Sequence, residues 1–241
     1  MTGVNHDDAT PKQVDDRGLR NLLMRVLAAL VMVPIAVAIA YAGGWLWFSL
    51  VALVSVGLFV EWVMIVGRNA GWIVVGVIYA FAALLASVVV RLDPLWGFAA
   101  LMFVLLVVWV TDIGGYFAGR GIGGPKLWPR ISPKKTWAGA IGGLVLSLAV
   151  AAGFAWFGVG RLLPLLALAA VLTVVSQLGD LFESAVKRNF GVKDSSHIIP
   201  GHGGLLDRFD GYVFAVVAAA LIGFAGRRRW RRPRSYGLVK K

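Results

Sequence analysis

The chain is 241 residues long, 59% hydrophobic and only 15% charged, with a mean hydropathy of +0.79 and a formal net charge of +12. Soluble domains carry roughly 25% charged residues, so this deficit makes a lipid bilayer the solvent and excludes a soluble globular protein. The lack of cysteine excludes a disulfide framework and a thiolate metal site; the basic excess, gathered in Arg227, Arg228, Arg229, Arg231, Arg232, Arg234, Lys240 and Lys241 directly after an apolar run, suits anionic lipid headgroups rather than nucleic acid.

Residues 1–21 form a polar tail with acids mixed among the bases, and the apolar stretch behind it is too long for a cleaved signal peptide. Residues 26–60 contain no charged side chain. As one helix that run is about 52 Å long, against a hydrocarbon core of roughly 30 Å, so it must turn back, and Gly43-Gly44 is the natural place. Further uncharged runs cover 69–90, 94–111, 136–160, 162–179 and 211–226. The expected fold is all-α: a polytopic integral membrane helical bundle with about seven crossings, in a range of about six to nine. Trp45, Trp47, Trp72, Trp96 and Trp128 lie near run ends, where aromatic belts sit. The organisation reads as a tail (1–21), N-terminal transmembrane helices (22–110), a second membrane region with two polar loops that carries the chemistry (111–226), and a basic tail (227–241). Gly- and Ala-rich segments permit close helix contacts, which leaves room for a homodimer.

The first polar loop, Gly119 to Thr136, carries Arg120, Lys126, Arg130, Lys134 and Lys135 and no acid; the second runs from Lys187 to Arg208. Two crossings with a tight turn near Gly158-Val159-Gly160 separate them. Both loops therefore share one membrane face, which their Lys/Arg excess makes cytoplasmic. One further crossing then carries the basic C-terminus to the opposite face, against the positive-inside tendency, unless 211–226 re-enters.

Of the 12 acids, five lie between Asp180 and Asp210, together with two of the three histidines. Ionisable groups are costly in a bilayer, so such a cluster marks a functional site. As a continuation of the 162–179 helix, Gln177, Asp180, Glu183, Ser184, Lys187 and Arg188 fall within an arc of about 140°. Asp207 and Asp210, spaced i, i+3, face one way on a helix. Hard oxygen ligands beside lysines and arginines suit Mg²⁺ plus phosphate. Gly201, Gly203 and Gly204 around His202 allow positive φ and a close backbone approach to an anion. Ser132 or Thr136 is placed to cap the helix that follows the basic loop, whose N-terminus attracts phosphate. Plainer readings stand beside these: Asp180 paired with Lys187 or Arg188, Asp207 bridged to Arg208, Lys134, Lys135 and Lys193 as topology determinants, Gly114 and Gly115 serving helix packing, and Glu61 as an interfacial carboxylate.

Ser184-x-x-Lys187-Arg188, Lys193-Asp194 and Pro200-x-His202-Gly203-Gly204-x-x-Asp207-Arg208-x-Asp210 resemble, without gaps over 27 residues, the hallmark of phosphatidate cytidylyltransferases, the CDP-diglyceride synthases. Gln177-x-Gly179-Asp180-x-x-Glu183-Ser184, Asp112-x-Gly114-Gly115-Tyr116-Phe117-x-Gly119-Arg120 and Ser132-Pro133-Lys134-Lys135-Thr136 resemble the same family, so the likeness covers residues 109–212. It departs at Ala138, where the family often has Glu or Gln. The resemblance implies CMP transfer from CTP to phosphatidic acid, in a bacterial inner membrane, with Mg²⁺ and room for a monovalent cation. It favours Asp180, Asp207 and Asp210 as metal ligands. Lys187, Arg188 and Arg208 join them as catalytic residues; Ser132, Lys134, Lys135, Ser184, Lys193, Asp194, His202, Gly203, Gly204 and Asp112 are expected around the substrates. The competing classes are a CTP-dependent polyprenol or phytol-type lipid kinase and a membrane transporter; a transporter would spread polar residues through several crossings.

Overall fold

The computed structural model describes residues 30–193, 195, 196 and 204–230, with the side chains of 226–230 left aside. The chain divides into two units, Met1–Ala38 and Ile39–Lys241. The described part of the first is residues 30–38, in helix α1, Leu30–Ala42. Then come α2 (Gly44–Val66), α3 (Ala70–Arg91), α4 (Gly97–Gly121), a hairpin of β1 (Lys126–Trp128) and β2 (Ser132–Thr136), α5 (Trp137–Trp156), α6 (Leu162–Asn189) and α7 (Leu206–Trp230). Among the described residues, six helices are long and apolar enough to cross a membrane. The chain is an all-α integral membrane protein, as its composition requires.

The break between α1 and α2 falls where expected. Gly43 and Gly44 have φ of 66° and 57°, a left-handed conformation that glycine adopts without a Cβ clash. Arg91, at the end of α3, secures the turn by donating from Nε to the Ala40 carbonyl (2.6 Å) and from Nη2 to that of Tyr41 (2.8 Å). A cation thereby satisfies carbonyls that a helix end leaves without partners.

Two elements differ from the sequence reading, and a third carries Asp207 and Asp210 on a helix as their spacing predicts. The basic loop folds as an antiparallel hairpin, with Lys126 opposite Thr136 and Trp128 opposite Ser132. Helix α4 runs on past Asp112 to Gly121, so Asp112 stands within a helix rather than at its end. Helix α7 begins at Leu206, taking Asp207 and Asp210 into its first turns. Its 25 residues make about 37 Å of uninterrupted helix, long enough to cross a bilayer.

Apolar burial does little to hold helices together in lipid, where the surroundings are as apolar as leucine; close backbone approach and interhelical hydrogen bonds do more. The seam between α4 and α5 is made that way. A Cβ on Gly114 would lie 2.7 Å from the Gly142 carbonyl oxygen, and one on Gly143 2.7 Å from that of Thr111. Gly114 thus serves helix packing. Deeper in the seam, Thr111 Oγ1 meets Ser147 Oγ at 2.9 Å and Thr173 Oγ1 at 3.4 Å, linking α4, α5 and α6 through buried hydroxyls. Behind the polar end of α6, Trp62 is fully buried, stacked on Tyr79 and Phe182 at centroid distances of 5.4 and 6.2 Å, and donates to the Trp72 carbonyl at 2.7 Å. It locks α2 against α3 and α6 at the level of the charged residues.

Candidate active site

Charged side chains gather where α4 and α6 finish and α5 and α7 begin. The outer group is Asp112 from α4, Lys135 from β2, Asp180 from α6 and Arg208 from α7, close enough that Asp112 feels the charge of the other three. Lys135 Nζ is ion-paired with Asp180 Oδ2, so Asp180 takes a partner from the hairpin and not from its own helix. Strand alternation explains the choice: Lys135 is half-buried, while its neighbour Lys134 is exposed. Ser184, one turn along α6, reaches Asp180 Oδ1 at 3.5 Å. Thr136 accepts from the Gly139 N–H at 3.1 Å, capping α5 and fixing the exit of the hairpin.

The inner group is built around two buried residues, Glu183 and Lys187. Lys187 is 8% exposed and ion-paired both with Glu183, at 3.1 Å, and with Asp207 Oδ1. Asp207 Oδ2 accepts from Ser195 Oγ (2.8 Å), Ser195 N (3.3 Å) and Gly204 N (3.2 Å). Asp210 is near enough to Glu183 for the two carboxyl groups to affect each other's charge. Glu183 Oε1 is buried, and the Lys187 ammonium stands beside it. Charges of both signs therefore run from the half-exposed Lys135–Asp180 pair to the buried Glu183 and Lys187.

Two carboxylates were undervalued in the sequence. Glu61 is fully buried. It accepts from Ser196 Oγ (2.6 Å) and Leu205 N (2.8 Å) on Oε1, and from Ser195 Oγ (3.2 Å) and Leu206 N (2.7 Å) on Oε2. The available signal was its position as the single charge between Arg25 and Arg68, and an ionisable group inside an apolar helix is a functional candidate by default. Glu183 belongs to the polar stripe of α6, and its i, i+4 spacing to Lys187 was the cue. Gly204 needs correction too. Its φ is not left-handed; glycine is required there because a Cβ would overlap Ser195 Oγ and lie 2.8 Å from Glu61 Oε2.

Of the expected site residues, the fold brings together Asp112, Lys135, Asp180, Ser184, Lys187, Asp207, Arg208 and Asp210. Ser132 is half-buried on β2, and Lys134, Arg188 and Lys193 are exposed. Arg188 Nη1 donates to the Val192 carbonyl at 3.3 Å. Asp194, His202 and Gly203 lie outside the described residues. A cavity of about 680 Å³ lined by Val90, Phe103, Phe154 and Ala220 is apolar and at the opposite end of the helices, away from these charges.

Among the described residues no three carboxylate or histidine groups close around one point. The donors present still suit a hard divalent cation that takes one or two carboxylates and completes its shell from substrate phosphate. Asp210 lies near enough to Asp180 and Glu183 to feel the charge of both. Such an excess of oxygen anions is what a cation relieves.

Membrane-length helices with a cluster of charged side chains at a common end define an integral membrane protein. The chain belongs to the cytidylyltransferase family, whose model matches residues 67–225. It is 46% identical over 183 residues to the phosphatidate cytidylyltransferase of Brucella suis, covering 72% of this chain and 63% of that protein. With the phosphatidate cytidylyltransferase of Bacillus subtilis it shares 39% identity over 175 residues, 69% of this chain and 64% of the relative. With that of Staphylococcus saprophyticus it shares 50% over 123 residues, covering 50% and 47%. The chain thus spans less than two thirds of the length of these curated relatives.

Proposed function

We propose that the chain transfers CMP from CTP to phosphatidic acid, giving CDP-diacylglycerol and pyrophosphate for phospholipid synthesis. The observation that supports this most is the convergence of Lys135 and Arg208 with Asp112 and Asp180 at one end of the bundle. Membership of the cytidylyltransferase family and the names of the relatives point the same way.

In this reaction an oxygen of the lipid phosphate attacks the α-phosphorus of CTP; that P–O bond forms as the bond from the α-phosphorus to the α,β-bridging oxygen breaks, and pyrophosphate leaves. The attacking oxygen is already anionic, so no strong general base is needed. The obstacle is electrostatic: two anions must approach, and charge must be held on the departing pyrophosphate. Positioning and neutralisation by cationic side chains are the remedy. Lys187, Arg188, Lys193 and Arg208 contact the phosphates. Lys134 and Lys135, with Ser132, hold one anion at the mouth, while Ser184, Asp194, His202, Gly203 and Gly204 complete the substrate surroundings. Asp112 orients a substrate group or supports the metal carboxylates. Mg²⁺ would be held by Asp180 and Asp210, with Asp207 as the third carboxylate of the group. When bound, it neutralises phosphate oxygens and polarises the phosphorus. The Lys/Arg excess of the two polar loops and the bacterial relatives support a site facing the cytoplasm from a bacterial inner membrane.

Incubating the purified protein with phosphatidic acid in detergent, with and without magnesium, tests this. CTP labelled at the α-phosphate should label the lipid, and CTP labelled at the γ-phosphate should not. Label arriving from the γ-position would make the protein a kinase, and none from either would remove the proposal.

A further inference from the structure

Glu61 stands on α2, outside the stretch matched by the family model, yet it binds Ser195, Ser196, Leu205 and Leu206. Its four donors come from both sides of the segment between α6 and α7: the Ser195 and Ser196 hydroxyls on one flank, the Leu205 and Leu206 backbone N–H groups on the other. The last two belong to the N-terminal end of α7, where backbone donors lack intrahelical partners and attract an anion. A carboxylate from a different helix thus caps α7.

The contact does not stop there. Ser195 Oγ lies 3.2 Å from Glu61 Oε2 and 2.8 Å from Asp207 Oδ2. A hydroxyl has one proton to donate, so the two carboxylates are joined through a shared hydrogen. Ser195 N and Gly204 N point at the same oxygen of Asp207, and Gly204 must be glycine to leave room for Ser195 and Glu61. Asp207 in turn receives Lys187 on its other oxygen. The chain of contacts runs Glu61, Ser195, Asp207, Lys187. Glu61 itself is fully buried and touches no space open to substrate.

We propose that Glu61 is a positioning residue: it clamps the two flanks of the 195–206 segment to α2 and, through Ser195, sets Asp207 against Lys187. Its effect on turnover rests on the functional reading above; the clamp does not. Two predictions separate them. Glu61→Gln preserves shape but turns an amide N–H toward one pair of donors. That leaves buried donors without an acceptor and loosens the hold on Ser195, so turnover should fall about tenfold or more with KM for both substrates within about twofold, since no substrate contact is removed. Ser195→Ala should lower the same parameter, and the double variant should be about as slow as the worse single one, because both break one chain.

Independently of activity, hydrogen exchange followed by mass spectrometry on the full-length protein in detergent should show faster exchange in peptides covering Leu205 and Leu206 in Glu61→Gln, with the middle of α5 unchanged. If Glu61→Gln is too poorly folded to purify, the same exchange comparison is made on Ser196→Ala, which deletes one donor to Glu61 and leaves Asp207 untouched. Unaltered exchange around Leu205 and Leu206 in the variant measured would overturn the clamp. A double variant whose loss is the product of the two single losses, or a rise in KM alone, would overturn its route through Ser195. A parent protein without CTP-dependent activity would sink the functional reading, while the exchange result still decides the clamp.

Discussion

Replacing Lys187 by Met removes the one cation inside the inner group and leaves its length of apolar side chain in place. The consequence can be worked from burial. Glu183, with a side chain 2% exposed, loses its ion-pair partner and is left against Asp210. Asp207 is 23% exposed and keeps three donors from Ser195 and Gly204, so it adds little to the cost. Breaking a buried pair by removing one member typically costs about 3–5 kcal/mol, and that is the loss expected for Lys187→Met in SDS titrations from mixed micelles followed by helicity. Glu183→Gln added to Lys187→Met removes the stranded charge, so most of the stability should return, since an apolar or neutral replacement of a whole buried pair is often close to neutral. Turnover should not return with it, because Lys187 is assigned to the substrate phosphates. If Lys187→Met lies within about 1 kcal/mol of the parent, the range of an exposed pair, the buried arrangement is wrong. Should the stable double variant be fully active, the substrate role of Lys187 is wrong instead.

Gly204→Ala places a methyl group against Ser195 and Glu61; overpacking of about 1–3 kcal/mol is expected in the same titration, and pairing it with Ser195→Gly should recover part of it. A neutral Gly204→Ala would contradict the close approach. Asp180→Asn, Asp207→Asn and Asp210→Asn should each nearly abolish turnover in the CTP assay while still inserting and purifying; near-parent rates for all three with magnesium present would end the metal assignment. In the α4–α5 seam, Gly143→Val should cost about 1–3 kcal/mol because its Cβ would lie 2.7 Å from the Thr111 carbonyl oxygen. Gly153→Val on the same helix, with nothing within 4 Å of its Cβ, should be silent, and equal effects at the two positions would refute the seam.

Much of this protein is written in its linear pattern. Uncharged runs of near-bilayer length mark the helices, because burying a charge in hydrocarbon is costly whatever the fold. The double glycine at 43–44 ends a helix by a local φ preference. The spacing of Asp180, Glu183, Lys187, Asp207 and Asp210 places them on helix faces at a polar end, since helical period is a local property. What tertiary structure alone decided is which charge meets which. Asp180 pairs with Lys135 from the hairpin and not with Lys187 four residues after Glu183. Lys187 instead reaches across to Asp207 on the next helix. Glu61, more than 100 residues away in sequence from Ser195 and Leu206, becomes the anchor of the site. Pairing between distant residues depends on how helices cross and how closely glycines let them approach, and no local pattern carries that distance.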